Sequence, residues 1–139
     1  MRIVGGFADI ESRLARLTEP VRLMFFTQTV DCAKCLATRQ ILDVLSGCSE
    51  RIALEEYNLV LDKDTVEEYK IKRVPAVAIV STEDIGIRFY GTPEGFELES
   101  LVEGVELVAG QENSLTEVTL ATVNALERDV NLQVFVTPT

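Results

Sequence analysis

The chain lacks histidine and has only three cysteines, and these two scarcities exclude several kinds of chemistry. Without histidine, neither a Cys-His pair nor a Ser-His-Asp triad can activate a nucleophile. Three cysteines are too few for a disulfide-stapled scaffold, and a structural zinc ion would lack a fourth ligand. We therefore expect no metal and no cofactor, and an activated cysteine here would depend on a helix N-terminus and nearby cations.

Long apolar runs and clusters of basic residues are missing as well. No stretch approaches the roughly 20 apolar residues of a membrane span, and residues 1–7 lack an apolar run long enough for a secretory signal. The 13 basic residues are outnumbered by 23 acidic ones, and the net charge of −10 argues against nucleic acid and anionic lipid as partners. We expect a cytoplasmic protein that binds neither nucleic acid nor membranes.

The pattern of apolar residues predicts alternating helices and strands. Residues 21–27 are almost continuously apolar, as in a central strand buried on both faces. The chain has 139 residues, 47% of them hydrophobic, which is enough for one well-buried domain. Two parallel crossovers, an antiparallel hairpin and a covering helix give the order of a thioredoxin fold, an α/β class with a central mixed four-stranded sheet flanked by helices. The predicted strands are 21–27, 52–59, 76–81 and 85–90. The predicted helices are 8–17, 32–46, 65–69 and one that begins at Pro93 with Thr92 as its N-cap.

Cys32-Ala33-Lys34-Cys35 is a Cys-X-X-Cys motif between the first strand and the second helix. A thiol at a helix N-terminus faces unpaired N–H groups and the positive end of the helix dipole, which lower its pKa. Cys32 is therefore a candidate nucleophile, and Cys35, one turn further into the helix, is a candidate resolving thiol. The alternative is an inert pair of thiols, with Cys35 packed in the core.

Charged residues around the motif would tune its chemistry. Lys34 within the motif, and Lys72 and Arg73 from across a cleft, would lower the pKa of the Cys32 thiol further, whereas Asp31 would raise it. We assign Lys34 and Arg73 as pKa-tuning residues.

Pro75 is the second anchor of the predicted site. It introduces the strand 76–81, and its position opposite the Cys-X-X-Cys motif favours a cis Val74–Pro75 bond, although only about 5–6% of X-Pro bonds in folded proteins are cis. A cis bond would expose the Val74 backbone to pair with an extended substrate segment. Val74 and Pro75 are therefore candidate substrate-binding residues.

Other titratable residues receive simpler interpretations. Cys48 lies at the far end of the helix that Cys32 opens, roughly 21 Å away, so we expect a free and partly buried thiol. Strand-edge solvation is the expected role of Glu55 and Glu56. The glutamates of the last domain helix are interpreted as a solvated face: Glu94, Glu97, Glu99, Glu103 and Glu106.

The C-terminal segment repeats the start of the chain. Ser114-Leu115-Thr116-Glu117 is a capping box, Val130–Val136 is a predicted strand, and residues 126–136 echo residues 17–27. We interpret 1–112 as a thioredoxin-fold domain and 113–139 as the helix and strand that begin a truncated second unit. Because its apolar residues need burial, we expect this segment to pack on the first domain as an added layer or to form a homodimer.

Three parts of the sequence together resemble a known family. The Cys-X-X-Cys motif, Arg73-Val74-Pro75-Ala76 and especially residues 86–95 (GIRFYGTPEG) are similar to the N-terminal unit of glutaredoxin-like protein disulfide oxidoreductases. The ending 134–139 (VFVTPT) resembles the strand before the second active site of those proteins. The N-terminal part of the alkyl hydroperoxide reductase flavoprotein has the same two-unit plan.

The resemblance implies a thiol–disulfide oxidoreductase that acts on protein dithiols and disulfides. In this family Cys32 would be the attacking thiol, Cys35 the resolving thiol and Pro75 the cis-proline, and a reductase of the thioredoxin-reductase type is a candidate electron donor. The intervening Ala33-Lys34 departs from the family, which commonly has proline or an aromatic residue there. The alternative is a docking or scaffolding module without catalytic activity that forms part of a larger redox protein.

Overall fold

The computed structural model describes residues 6–137 and has the predicted α/β class, with a mixed four-stranded sheet flanked by helices. In this part of the chain no helix is long and apolar enough to cross a bilayer. The elements are α1 (Phe7–Ala15), β1 (Val21–Thr27), α2 (Cys35–Gly47), β2 (Ile52–Asn58), α3 (Lys63–Glu68), β3 (Ala76–Val80), β4 (Ile87–Tyr90), α4 (Phe96–Val108) and α5 (Glu117–Asn124).

The sheet has the strand order β2-β1-β3-β4. Strand β2 runs parallel to β1, whereas β3 is antiparallel to β1 and β4 is antiparallel to β3. The prediction of a second parallel crossover is therefore wrong. Helix α3 has only 6 residues and extends about 9 Å, so this connection lacks the long helix that usually forms a parallel crossover. Strand β3 begins at the edge where β1 and β2 end.

Each face of the sheet has its own apolar core. On one face, Leu23 and Phe25 of β1 and Val77 and Ile79 of β3 pack against α1, α2 and α4. Helix α4 comes close to this face at Gly104, where an added Cβ would lie 2.9 Å from Cδ1 of Ile79. The opposite face is covered by α3 and its flanking residues and consists of Met24, Phe26, Ile71, Ala76, Ala78 and Val80.

An ion cluster joins α1 to α4. The Arg13 guanidinium donates to both carboxylate oxygens of Glu106, at 3.0 and 2.7 Å, and also to Glu99. These hydrogen bonds raise the pKa of Arg13. The predicted solvated acidic face is therefore wrong for Glu99 and Glu106, because α1 supplies a cation that the helical pattern of α4 alone does not reveal.

Three helix starts differ from the predictions. Helix α2 begins at Cys35, with Lys34 as its N-cap, and α4 begins at Phe96, well after Thr92. Helix α5 is capped by the Thr116 side chain, which accepts from the Thr119 N–H, so the cap lies two residues beyond the predicted Ser114. Of the two predicted caps, the Thr92 hydroxyl instead bonds to Thr38.

The C-terminal segment neither forms the predicted strand nor adds a layer to the domain. Within its described part, residues 130–137 have no regular secondary structure, and from 111 onwards every side chain is exposed except the half-buried Leu120. Both expectations are wrong for these residues, because a strand needs a hydrogen-bonded neighbour and β2 and β4 do not pair with this segment. The division at 112/113 and the homodimer stay predictions, and residues 1–5 and 138–139 lie outside the described residues.

Candidate redox site

Cys32 and Cys35 form a disulfide bond, and their Cα atoms are 5.5 Å apart. Cys35 is the first residue of α2 and is buried, whereas Cys32 lies in the turn before the helix and is half-buried. We call residues 32–35 the redox turn. Cys32 precedes the helix by three residues, yet its sulfur is bonded to the sulfur of the first helical residue. It therefore lies within reach of the unpaired N–H groups of α2.

The sheet register brings Pro75 to the redox turn. Because β1 and β3 are antiparallel, with Phe26 opposite Ala76, the end of β1 and the start of β3 lie side by side. The redox turn follows β1 by a short loop, and Pro75 directly precedes β3. Pro75 is buried, Val74 is half-buried, and the peptide bond between them is cis.

An open cleft of about 330 Å³ separates the redox turn from the Pro75 loop. One wall consists of Asp31 and residues 32–34, and the other wall combines residues 73–75 with Tyr90 and Gly91. Every residue that the sequence assigned to the site lies here except the buried Cys35, which is bonded to the cleft residue Cys32. The cleft gives a substrate sulfur a path to Cys32, while Cys35 is shielded.

The two cations occupy different settings. Lys34 is the N-cap of α2 and is exposed. The guanidinium carbon of Arg73 lies 4.2 Å from the centre of the Tyr90 ring, a cation–π contact that holds the side chain at the cleft wall. Asp31 has a positive φ of 55°, a conformation that aspartate adopts more readily than most residues. The cleft thus carries two cations and one acid.

Two buried threonines complete the site, and sequence reasoning missed their role. The hydroxyl oxygens of Thr38 and Thr92 are 3.0 Å apart, and the Thr38 hydroxyl donates to the Lys34 carbonyl at 2.8 Å. The sequence assigned Thr92 as the N-cap of α4, but its side chain reaches the redox turn instead. Thr38 could have been noticed as a polar residue on the otherwise apolar inner face of α2.

The third cysteine stands apart from the site. Cys48 is a free, half-buried thiol at the C-terminal end of α2, and its sulfur donates to the Val44 carbonyl at 3.3 Å. Burial, followed by the negative charge of Glu11, raises the pKa of the Cys48 thiol. A raised pKa lowers the fraction of thiolate, which is the form that attacks a disulfide.

Comparisons with known proteins give structural matches only. No family model matches the sequence, and no curated protein matches it. The chain is similar to a protein disulfide oxidoreductase from Aeropyrum pernix, with a TM-score of 0.76 and 25% identity over 91% of this chain. It is also similar to an alkylhydroperoxide reductase subunit from Enterococcus faecalis, with a TM-score of 0.76 and 26% identity over 86% of this chain.

The matches confirm the resemblance that the motifs indicated, at the level of structure. A thioredoxin from Halobacterium salinarum matches with a TM-score of 0.55 and 15% identity, over 79% of this chain and 91% of its own, which supports the thioredoxin fold alone. The present chain spans 56% of the disulfide oxidoreductase and 58% of the reductase subunit. What those longer proteins do as wholes therefore bears on this chain only as a proposal.

Proposed function

We propose that this protein is a thiol–disulfide oxidoreductase that exchanges disulfides with protein substrates through Cys32 and Cys35. The observation that carries the proposal is that Cys32, disulfide-bonded to the buried Cys35, lines an open cleft opposite Pro75. Two similar solved structures, a protein disulfide oxidoreductase and an alkylhydroperoxide reductase subunit, support the same class of chemistry.

Cys32 is the attacking thiol because it lies at the cleft, and Cys35 is the resolving thiol because it is buried. In the reduced protein, the Cys32 thiolate attacks a substrate disulfide, forms a mixed disulfide and releases one substrate thiolate. Cys35 then attacks the Cys32 sulfur, which forms the intramolecular disulfide and releases the second substrate thiolate. Two electrons pass from the dithiol to the substrate, and a dithiol donor must return them before the next turnover.

The surrounding residues have supporting roles in this proposal. The N–H groups at the start of α2 and the Lys34 and Arg73 cations stabilise the Cys32 thiolate. Val74 and Pro75 line the opposite wall and bind the substrate segment next to its disulfide. A glutaredoxin-type reaction, a thioredoxin-reductase-type electron donor, a homodimer and a cytoplasmic location remain predictions.

Insulin reduction by dithiothreitol tests the proposal, together with a titration of the protein in glutathione buffers of known potential. We expect the wild type to accelerate insulin reduction and to convert reversibly between dithiol and disulfide. Cys32→Ser should abolish both properties, whereas the matched control Cys48→Ser should retain them, since Cys48 is remote from the cleft.

The same assay addresses a docking or scaffolding module without catalytic activity. If the acceleration is unchanged in Cys32→Ser, the oxidoreductase proposal is wrong. A wild type that does not accelerate reduction at all, although the Cys32–Cys35 pair is intact, would instead favour the docking module.

A further inference from the structure

We propose that Thr38 and Thr92 are positioning residues that hold the redox turn against the Pro75 loop and thereby set the reduction potential of the Cys32–Cys35 pair. The inference rests on the proposed function, because it concerns the same pair of thiols. The two buried hydroxyls take no direct part in disulfide exchange.

The hydroxyls converge on one backbone carbonyl inside the redox turn. The Lys34 oxygen lies 3.1 Å from the Thr38 N–H nitrogen, 2.8 Å from the Thr38 hydroxyl and 3.4 Å from the Thr92 hydroxyl. A carbonyl oxygen has two lone pairs, which the two closer Thr38 donors fill. The Thr92 hydroxyl therefore donates to the Thr38 oxygen, 3.0 Å away. This arrangement satisfies both hydroxyls.

Burial makes the arrangement specific. Thr38 is 0% exposed and Thr92 is 8% exposed. A buried hydroxyl that loses its hydrogen-bond partner destabilises the fold, so each hydroxyl favours the geometry in which the other is present. The hydrogen bond between the two hydroxyls therefore joins α2 to the segment after β4 in one fixed geometry.

The segment that carries Thr92 also holds the other wall of the cleft. The Gly91 N–H donates to the Pro75 carbonyl at 2.9 Å, and Tyr90 is paired with Ala76 in the sheet. A continuous path therefore runs from the Pro75 carbonyl through Gly91, Thr92 and Thr38 to the Lys34 carbonyl. Both walls of the cleft are attached to a single short stretch of chain.

This link bears on the redox chemistry because Lys34 lies between the two cysteines. A disulfide is stable in proportion to the effective concentration of one thiol at the other, and that concentration rises when the intervening turn is held in place. Once the disulfide is reduced, the link is what keeps the turn in the geometry that brings Cys35 back to Cys32. Loss of either hydroxyl should therefore weaken the disulfide relative to the dithiol.

The test is a glutathione titration of variants of the 139-residue chain, read by thiol alkylation and mass. Thr38→Val and Thr92→Val keep the shape of the side chain and remove the hydroxyl, whereas Thr38→Ser and Thr92→Ser keep the hydroxyl. We expect each valine variant to shift the equilibrium toward the dithiol by roughly tenfold, which corresponds to a potential about 30 mV less negative. The serine variants should stay close to the wild type.

Ile41→Val is the control for general destabilisation, because Ile41 is buried in the same helix and makes no hydrogen bond to the redox turn. It should lower stability without moving the potential. An equal shift in Ile41→Val, or no shift in Thr38→Val, overturns the inference and leaves the proposed function intact. If Thr38→Val does not fold, Thr92→Val decides in the same way. A wild-type pair that does not equilibrate with glutathione overturns the proposed function and this inference together.

Discussion

Strand β1 and residues 130–136 have similar sequences, but only β1 forms a strand and is buried. Both are apolar, and each follows a helix, α1 in the first case and α5 in the second. Phe26 of β1 is 0% exposed, whereas Phe135, its counterpart in the repeat, is 85% exposed. Strand β1 is hydrogen-bonded to β2 and β3, while residues 130–137 form no strand in the described part of the chain.

The difference shows that an apolar, β-prone stretch encodes a strand only where neighbouring strands complete it. Strand propensity chiefly measures how well a side chain packs on its cross-strand and same-face neighbours. In β1, Phe26 stacks on Tyr57 of β2, with 5.5 Å between the ring centres. The repeat has the same residue type at Phe135, but among residues 6–137 no strand pairs with it. Its sequence alone therefore does not determine its conformation.

Removal of the two phenylalanines should give the largest difference between the regions. We expect Phe26→Ala to lower the free energy of unfolding by about 3–5 kcal/mol, because it leaves a cavity in a closely packed core. Phe135→Ala should change it by less than about 0.5 kcal/mol, as is usual at exposed positions. Urea denaturation followed by circular dichroism measures both values.

An equal loss in the two variants would contradict the comparison. In particular, a loss above about 1 kcal/mol in Phe135→Ala, a large share of the marginal stability of a domain, would mean that the segment is packed in solution. Repeating that measurement at several protein concentrations separates a homodimer, whose stability rises with concentration, from packing within one chain.

The helices before the two apolar stretches differ in the same way. Arg13 anchors α1 to Glu106 of α4, and both side chains are mostly buried, with 18% and 11% exposed. Thr122 of α5 lies four residues before the echoed segment 126–136, as Arg13 lies four residues before 17–27, and its hydroxyl donates to the Val118 carbonyl of its own helix. We expect Arg13→Gln to cost about 2 kcal/mol, since Glu106 would keep a carboxylate without its cation.

Thr122→Val is the matched control, and its stability should stay within about 0.5 kcal/mol of the wild type. Thermal unfolding monitored by calorimetry measures both variants. If Arg13→Gln is as neutral as Thr122→Val, the ion cluster does not hold α1 in place, and packing of Ile10 and Leu14 alone must do so.

The sequence predicts the parts of this molecule that depend on local patterns. The apolar runs locate all four strands of the sheet, and the order of elements predicts the thioredoxin fold. The Cys-X-X-Cys motif and Pro75 could be placed opposite each other because each adjoins a recognisable strand. Local chemistry was sufficient for these features.

Features that depend on a partner elsewhere in the chain escaped prediction. Thr92 has the residue type and the neighbouring proline of a helix cap, yet its hydroxyl bonds to Thr38 across the cleft. Glu106 fits a solvated helical face until α1 places Arg13 beside it. Residues 130–136 have the pattern of a strand, but no neighbouring strand pairs with them in the described part of the chain. In each case a tertiary contact, or its absence, decides the outcome.

The smallest expected effect concerns the polar contacts of β1 and depends on pH. Arg22 donates to both carboxylate oxygens of Glu55, at 3.1 and 2.8 Å. These bonds lower the pKa of Glu55, assisted by the Tyr57 hydroxyl and opposed by partial burial. At the corresponding position, the C-terminal stretch has the exposed Asn131. A pH-dependent contribution is therefore expected from the first stretch and not from its repeat.

The direction follows from the lowered pKa. Because folded Glu55 ionises at a lower pH than it does in the unfolded chain, the pair stabilises the fold fully above the unfolded pKa of about 4.3, and this contribution disappears as the pH falls through the folded pKa. Glu55→Gln should cost about 1 kcal/mol at pH 7, a value kept small by the partial exposure of both side chains, and much less at pH 3. Urea unfolding at the two pH values measures the difference, with Arg22→Gln as the background in which it should disappear. If Glu55→Gln costs the same at pH 7 and pH 3, Glu55 acts through packing and not through its charge. Strand β1 would then differ from its repeat in apolar contacts alone.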